Sequence, residues 1–182
     1  MIKIIDDLLP HQQWQELHDY FLIHDCPYKY LDHMVSGGDS HFQFVHGIVL
    51  GGVGGAPVFD ETRVKRIEPI LTRLNIDFLL RAKVNMTTRT SEPLQSNFHC
   101  DTNQNNLTAI YYVNTCNGKT RFENPDIGDV DSKANRVVIF NAKQKHCTVT
   151  TTDVKARVVA NINYLPIRSD TWRPDSSSSP ST

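Results

Sequence analysis

Asn97-Phe98-His99-Cys100-Asp101, followed by Leu107-Thr108-Ala109-Ile110-Tyr111-Tyr112-Val113-Asn114, is the stretch whose reading decides how this chain folds. Taken as a β-strand, Phe98 to Asp101 has a period of two that sets His99 and Asp101 on one face and Cys100 on the other. An imidazole and a carboxylate then converge on one point. One more inward histidine would complete a set of two histidines and one carboxylate, the open facial arrangement that suits non-haem Fe(II) and leaves coordination positions free. His146, at the head of a later strand-like run, can be that ligand.

Alone, a His-x-Asp triplet says little, because both residue types are common on surfaces and the chain has 8 histidines. Its surroundings give it weight. From Phe78 onward short apolar runs recur at close intervals: Phe78 to Met86, Asn97 to Asp101, Leu107 to Thr115, Lys119 to Glu123, Arg136 to Asn141, His146 to Thr150 and Lys155 to Leu165. Turn residues separate them, with Asn117-Gly118 predicting a tight hairpin and Asn124-Pro125 and Ile127-Gly128 predicting turns. Short strands at this spacing indicate a sandwich or barrel.

Towards the N-terminus the pattern differs. Ile2 to Ile5 reads as a strand, and Trp14, Leu17 and Phe21 recur at helical spacing between about Pro10 and His24. Two strand-like runs follow, Tyr28 to Val35 and His41 to Leu50. A second amphipathic helix is predicted from Asp60 to Leu74, on Val64, Ile67, Ile70, Leu71 and Leu74. Both helices are expected to cover one face of a sheet. Gly51-Gly52-Val53-Gly54-Gly55 lacks the Gly-Lys-Ser/Thr ending of a phosphate loop and does not match the dinucleotide fingerprint, so it reads as a connector or substrate-side loop. The fold class expected is mainly β with flanking helices. One domain should span residues 1–170, with helical support over 1–76 and a β core over 77–165, leaving a Ser/Pro-rich tail at 171–182.

Composition limits the partners. A chain of 182 residues with 39% hydrophobic content and a net charge of −1 suits one full core and shows no basic excess for a nucleic-acid backbone. There is no cationic leader and no run near the ~18 apolar residues of a membrane span, so a soluble, cytoplasmic protein is expected. Cys26, Cys100, Cys116 and Cys147 form no Cys-x-x-Cys pair and read as reduced thiols. A zinc site built from His99-Cys100 and His146-Cys147 fails on geometry, because strand neighbours point to opposite faces.

Taken together, His99-Cys100-Asp101, Ile110-Tyr111-Tyr112-Val113-Asn114, Asn117-Gly118-Lys119-Thr120-Arg121-Phe122, Val137-Val138-Ile139-Phe140, His146 and Arg157 resemble the prolyl-4-hydroxylase-like branch of the Fe(II)/2-oxoglutarate oxygenases. The likeness covers about Leu79 to Leu165. It departs at Asn117, where a glycine pair is usual, and at Asn85, where the closest prolyl hydroxylases tend to place a tyrosine. The resemblance implies a double-stranded β-helix (jelly-roll or cupin-like) core, with His99, Asp101 and His146 on Fe(II) and with 2-oxoglutarate and O2 as co-substrates. It further implies hydroxylation of an unactivated C–H, with a prolyl residue of a protein or peptide as first substrate and small molecules behind it.

Physical roles can be read beside it. A buried carboxylate of 2-oxoglutarate needs a fixed opposite charge, and Arg157 offers an always-charged planar fork. The phenol of Tyr112 can add a hydrogen bond. On the last strand Arg157, Val159, Asn161 and Asn163 share one face, and Val158, Ala160, Ile162 and Tyr164 the other. A β-helix covered outside by helices would turn the polar set inward, making Asn163 a co-substrate contact; in an ordinary sandwich the same set would face water. Asn85 can bond the co-substrate from an inner strand or simply cap a strand end. Arg89 and Arg121 are rim candidates, though exposed arginines are usually just solvated. His11, His18, His24, His33, His41 and His46 read as surface or structural histidines, and no Gly-x-Ser-x-Gly elbow is present. Two rivals remain: the same core acting on a nucleic-acid base, which would need a basic groove, and a β-helix module that binds without turnover.

Overall fold

The computed structural model describes residues 2–24, 26–35, 41–51 and 57–167. Its strands are β1 (Ile2–Ile5), β2 (Lys29–Leu31), β3 (Gln43–Gly51), β4 (Pro57–Phe59), β5 (Ile76–Thr88), β6 (Leu107–Tyr112), β7 (Lys119–Phe122), β8 (Asp129–Asp131), β9 (Arg136–Asn141), β10 (His146–Val149) and β11 (Ala156–Pro166). Helices α1 (His11–Leu22) and α2 (Glu61–Arg73) match the two amphipathic segments. The expected tail at 171–182, residues 36–40 between the two strand-like runs and most of the glycine-rich connector lie outside the described residues.

Among the described residues the strands form two antiparallel sheets. The larger runs β1-β9-β6-β11-β5-β3-β2, with β4 beside β3, and the smaller runs β10-β7-β8. The N-terminal part is thus more than helical support, because β1 closes one edge against β9 and β2 to β4 extend the other. This is the double-stranded β-helix architecture expected, with both helices on the outer face of the larger sheet.

The alternation of β11 decides which face is which. Val158, Ala160, Ile162 and Tyr164 pack with Leu17, Phe21, Ile67 and Ile70 of the helices in one apolar core. A smaller core between the sheets contains Ile110, Tyr112, Phe122, Val138, Phe140 and Val159. The polar set of β11 therefore faces the space between the sheets. Helix α2 begins at Asp60, whose carboxylate accepts the backbone N–H of Arg63, and stops at Asn75, whose φ of 55° is a left-handed turn that Asn tolerates. No helix among the described residues is long and apolar enough to cross a membrane.

Two local expectations are corrected. Phe98 to Asp101 is not a continuous strand: only Gln95 and His99 pair, as isolated bridges to Val149 and His146. The interval from Gln95 to His99 is one residue longer than that from His146 to Val149, so the ladder cannot stay in register and the segment bulges. Asn117-Gly118 does not make a hairpin either. It carries the chain from β6 in the larger sheet to β7 in the smaller one, and the Asn117 side chain accepts the backbone N–H of Thr152 at 2.9 Å instead. Strands β4 and β8, three residues each, carry too little periodicity to be read from sequence.

Candidate metal centre and anion pocket

Register across the larger sheet places the inward side chains in rows. Asn163 pairs with Arg81 on one side and Thr108 on the other, Asn161 with Lys83 and Ile110, Val159 with Asn85 and Tyr112, and Arg157 with Thr87. The cavity over these rows is lined by Lys83, Asn85, Ile110, Arg157, Val159 and Asn161, by Thr120, His146 and Thr148 from the smaller sheet, and by His99 and Ser96 from the bulged segment.

His99, Asp101 and His146 meet at its edge, with one ligand atom from each lying within 4.8 Å of the others. The bridge between His99 and His146 creates this meeting: each backbone N–H donates to the other's carbonyl at 3.0 Å, and the rings stand 4.7 Å apart. Despite the bulge, Cys100 points away, its thiol bonded to the Lys143 carbonyl. His146 Nδ1 lies 3.0 Å from the Gln144 carbonyl and His99 Nδ1 3.3 Å from that of Asn97. With Nδ1 donating to a carbonyl, Nε2 of each ring keeps its lone pair for a ligand bond. His146 Nε2 is 3.8 Å from Asp101 Oδ2.

The Asp101 carboxylate is fixed from behind. Arg81 Nη2 donates to Oδ1 at 2.7 Å, Thr108 Oγ1 to Oδ2 at 2.8 Å, and Asn161 Nδ2 reaches both oxygens at 3.2 and 3.3 Å. Burial pushes this carboxyl up, but His146, Arg81, the Thr108 hydroxyl and His99 outweigh it and leave its pKa below the usual range. Burial likewise holds His146 below its ordinary value, with His99 and Arg81 adding to the effect against Asp101 and the Gln144 carbonyl. Both shifts favour an ionised carboxylate and a neutral imidazole, the forms that bind a cation.

Arg157 occupies the far end of the same cavity and is 2% exposed. Its Nε donates to Ser132 Oγ at 2.7 Å and its Nη2 to Thr120 Oγ1 at 3.1 Å, and no carboxylate among the described residues pairs with it. Burial pushes its pKa down, the signature of a cation lacking a counter-charge. A buried guanidinium hydrogen-bonded only to hydroxyls is a candidate anion site. Buried Asn85 Oδ1 and Asn161 Oδ1 also have no hydrogen-bond partner among the described residues. Two nitrogens and one oxygen for a metal, with a cationic fork across the cavity, fit a ferrous ion chelated by a dicarboxylate.

The other sequence candidates are placed differently. Tyr112 does not line the cavity: it is fully buried, and its phenol donates to Thr120 Oγ1 at 2.9 Å, so it backs the hydroxyl that Arg157 also holds. Asn163 lies beneath the floor, accepting from Arg81 Nε at 2.8 Å and donating to Thr108 Oγ1 at 2.8 Å, both partners of Asp101. Asn85 does line the cavity. Arg121 pairs with Asp129 at 2.8 Å, and Arg89 is exposed. Sequence reasoning missed Thr120, Ser132, Arg81, Thr108 and Lys83 as site residues; strand alternation from Asn85 would have found Lys83 and Arg81. A larger cleft of about 460 Å³ between α1 and α2 shares no lining residue with this site.

No family model matches the sequence, and no curated protein matches it either. Solved structures do. An oxidoreductase of the 2OG-Fe(II) oxygenase family from Burkholderia pseudomallei superposes with a TM-score of 0.61 at 11% identity, covering 90% of this chain and 84% of that one. A prolyl hydroxylase from Trichoplax adhaerens, in complex with a peptide fragment of the hypoxia inducible factor oxygen degradation domain, gives 0.59 at 15% identity over 90% and 83%. The non-heme alpha ketoglutarate dependent epimerase SnoN from nogalamycin biosynthesis gives 0.61 at 13% over 91% and 77%. Across relatives of such different reactions the shared property is architectural: this chain has the double-stranded β-helix fold of the 2-oxoglutarate and Fe(II) oxygenases.

Proposed function

We propose that the protein is an Fe(II)- and 2-oxoglutarate-dependent dioxygenase that hydroxylates an unactivated C–H bond. The observation that carries this reading is the buried Arg157, with no carboxylate partner among the described residues, on the same cavity as His99 and His146, which meet Asp101 at its edge. These three residues would hold Fe(II) and leave positions for the keto acid and oxygen. Arg157 and Thr120 would take the distal carboxylate of 2-oxoglutarate, Ser132 and Tyr112 would fix those two side chains, and the unpartnered Asn85 amide would face the bound acid along its length. Asn163 would support Asp101 through Arg81 and Thr108 and not touch the acid.

When bound, the metal and 2-oxoglutarate supply oxidising power by coupling decarboxylation of the keto acid to reduction of O2, with succinate and carbon dioxide as products. The protein's own share is positioning and exclusion of water. Ile110 and Val159 give the cavity apolar walls, Arg81 and Thr108 help keep Asp101 ionised while Asn161 helps orient it, and no side chain need act as a general acid. A prolyl residue of a protein or peptide is the substrate favoured by the motif resemblance.

Anaerobic addition of Fe(II) and 2-oxoglutarate tests the reading. A weak visible charge-transfer band is expected for the parent and not for His99→Ala or Asp101→Ala. A parent protein that binds Fe(II) without any 2-oxoglutarate-dependent band would sink it.

A further inference from the structure

Among the described residues, Lys83 is the one cation lining the cavity that this function leaves unused. It stands on β5 in the row of Asn161, beside the triad and away from Arg157. It lines the cavity with His99, His146 and Asn85. Among the described residues it forms no ion pair and no hydrogen bond, and the nearby carboxylate of Asp101 is already committed to Arg81, Thr108 and Asn161. Burial pushes its pKa down, with Arg81 adding to the effect and Asp101 opposing it.

Charge counting sharpens the point. A divalent metal, Arg81, Arg157 and Lys83 stand against Asp101 and a dianionic keto acid, so the loaded cavity keeps a positive excess. Arg81 is partly open to solvent, with 32% of its side chain exposed, and its share is screened. Lys83 is itself only partly buried but lines the cavity, and an ammonium there with no partner among the described residues is costly until an anion arrives.

We propose that Lys83 selects the substrate by holding a carboxylate on the molecule to be oxidised. This rests on the oxygenase reading and narrows it. A prolyl residue inside a peptide brings no anion to its ring, whereas a free amino acid or the C-terminal residue of a peptide brings its α-carboxylate. The preferred substrate class is therefore the carboxylate-bearing amino acid or chain end.

The test uses the full chain loaded with redox-inert Mn(II) and saturating 2-oxoglutarate without oxygen. Free amino acids, N-acetyl amino acids and short peptides are each titrated calorimetrically against their carboxamides. At least one acid should bind about tenfold or more tighter than its amide. The difference should vanish in Lys83→Met and persist in Lys83→Arg, with 2-oxoglutarate affinity unchanged in both and Lys83→Met melting no lower than the parent. The free amino acids and the peptides tell the two carboxylate sources apart. The proposal is overturned if no acid beats its amide, or if the preference survives Lys83→Met. It is also overturned if that variant loses affinity for 2-oxoglutarate, since Lys83 would then hold the co-substrate. A parent that binds no 2-oxoglutarate at all would instead bring down the oxygenase reading itself.

Discussion

Gly118 lies so close to Arg157 that a methyl group on it would stand 2.7 Å from the arginine Cδ, and 3.0 Å from the carbonyl oxygen of Val149. The glycine is required for close approach, not for a turn. In Gly118→Ala either the Arg157 side chain or the start of β7, which carries Thr120, must shift, and one half of the anion site leaves its place. Affinity for 2-oxoglutarate should fall about tenfold or more, while Mn(II) affinity stays near the parent value. Calorimetric titration with each ligand separates the two effects. An alanine variant with parental 2-oxoglutarate affinity would argue against Arg157 as the anchor.

Removing the charge should have the opposite effect on the free protein. Among the described residues Arg157 is buried with two hydroxyls and no counter-ion, an arrangement that costs stability until an anion is bound. In Arg157→Met the Tyr112 phenol still satisfies Thr120. The ligand-free variant is expected to be as stable as the parent or more so, by about 1 kcal/mol. It should also lose the rise in melting temperature that 2-oxoglutarate gives the metal-loaded parent. Thermal melts with and without the keto acid measure both halves, and a variant that melts far below the parent would contradict the unpaired-charge argument.

The two asparagines of β11 should act on the metal and not on the keto acid. Asn161 donates to both oxygens of Asp101, and Asn163 holds Arg81 and Thr108, which donate to the same carboxylate. Loss of such supporting bonds weakens metal sites by roughly 10–100-fold. Asn161→Ala should lie in that range and Asn163→Ala below it, because Asn163 works through two intermediaries. Mn(II) titrations give the order. If Asn163→Ala keeps its metal affinity but needs far more 2-oxoglutarate, the co-substrate role first read from the strand pattern is right after all.

How far the sequence could be read depended on whether an interaction follows local periodicity. The inward set of β11 and the two helix faces follow it, and the structure has them as expected. His99 and Asp101 end on one side even though their segment is bulged, because the single bridge to His146 supplies what a full ladder would have given. The phenol of Tyr112 is expected from sequence to donate a hydrogen bond to the co-substrate, and it lies buried against a protein hydroxyl. The hydroxyl that satisfies it belongs to Thr120 on the other sheet, and no pattern within β6 could reveal that. Ser132 sits just past the three-residue strand β8 and was invisible for the same reason. Asn117-Gly118 misled because the pair that favours a hairpin also suits a crossing where backbone must pass close to a side chain.

Acidification should loosen the edge strand first. Asp6, just after β1, accepts from Arg136 Nε at 2.6 Å and from Lys133 Nζ at 3.1 Å, tying β1 to the start of β9. The bond from Arg136 is the main cause of a pKa lowered to about 2 from the ordinary 3.8, with burial opposing and Lys133 assisting. A depressed carboxylate stabilises the fold above its unfolded value, and that contribution is lost as pH falls from 3.8 towards 2. Asp6 is 39% exposed, so solvent screening limits the effect to about 1 kcal/mol or less. Asp6→Asn should therefore unfold at lower urea than the parent at neutral pH, and the gap should close once the parent is titrated to the acid end of that window. High salt should shrink the gap as well. A difference of equal size at both pH values would mean that the carboxylate charge is not what fastens β1.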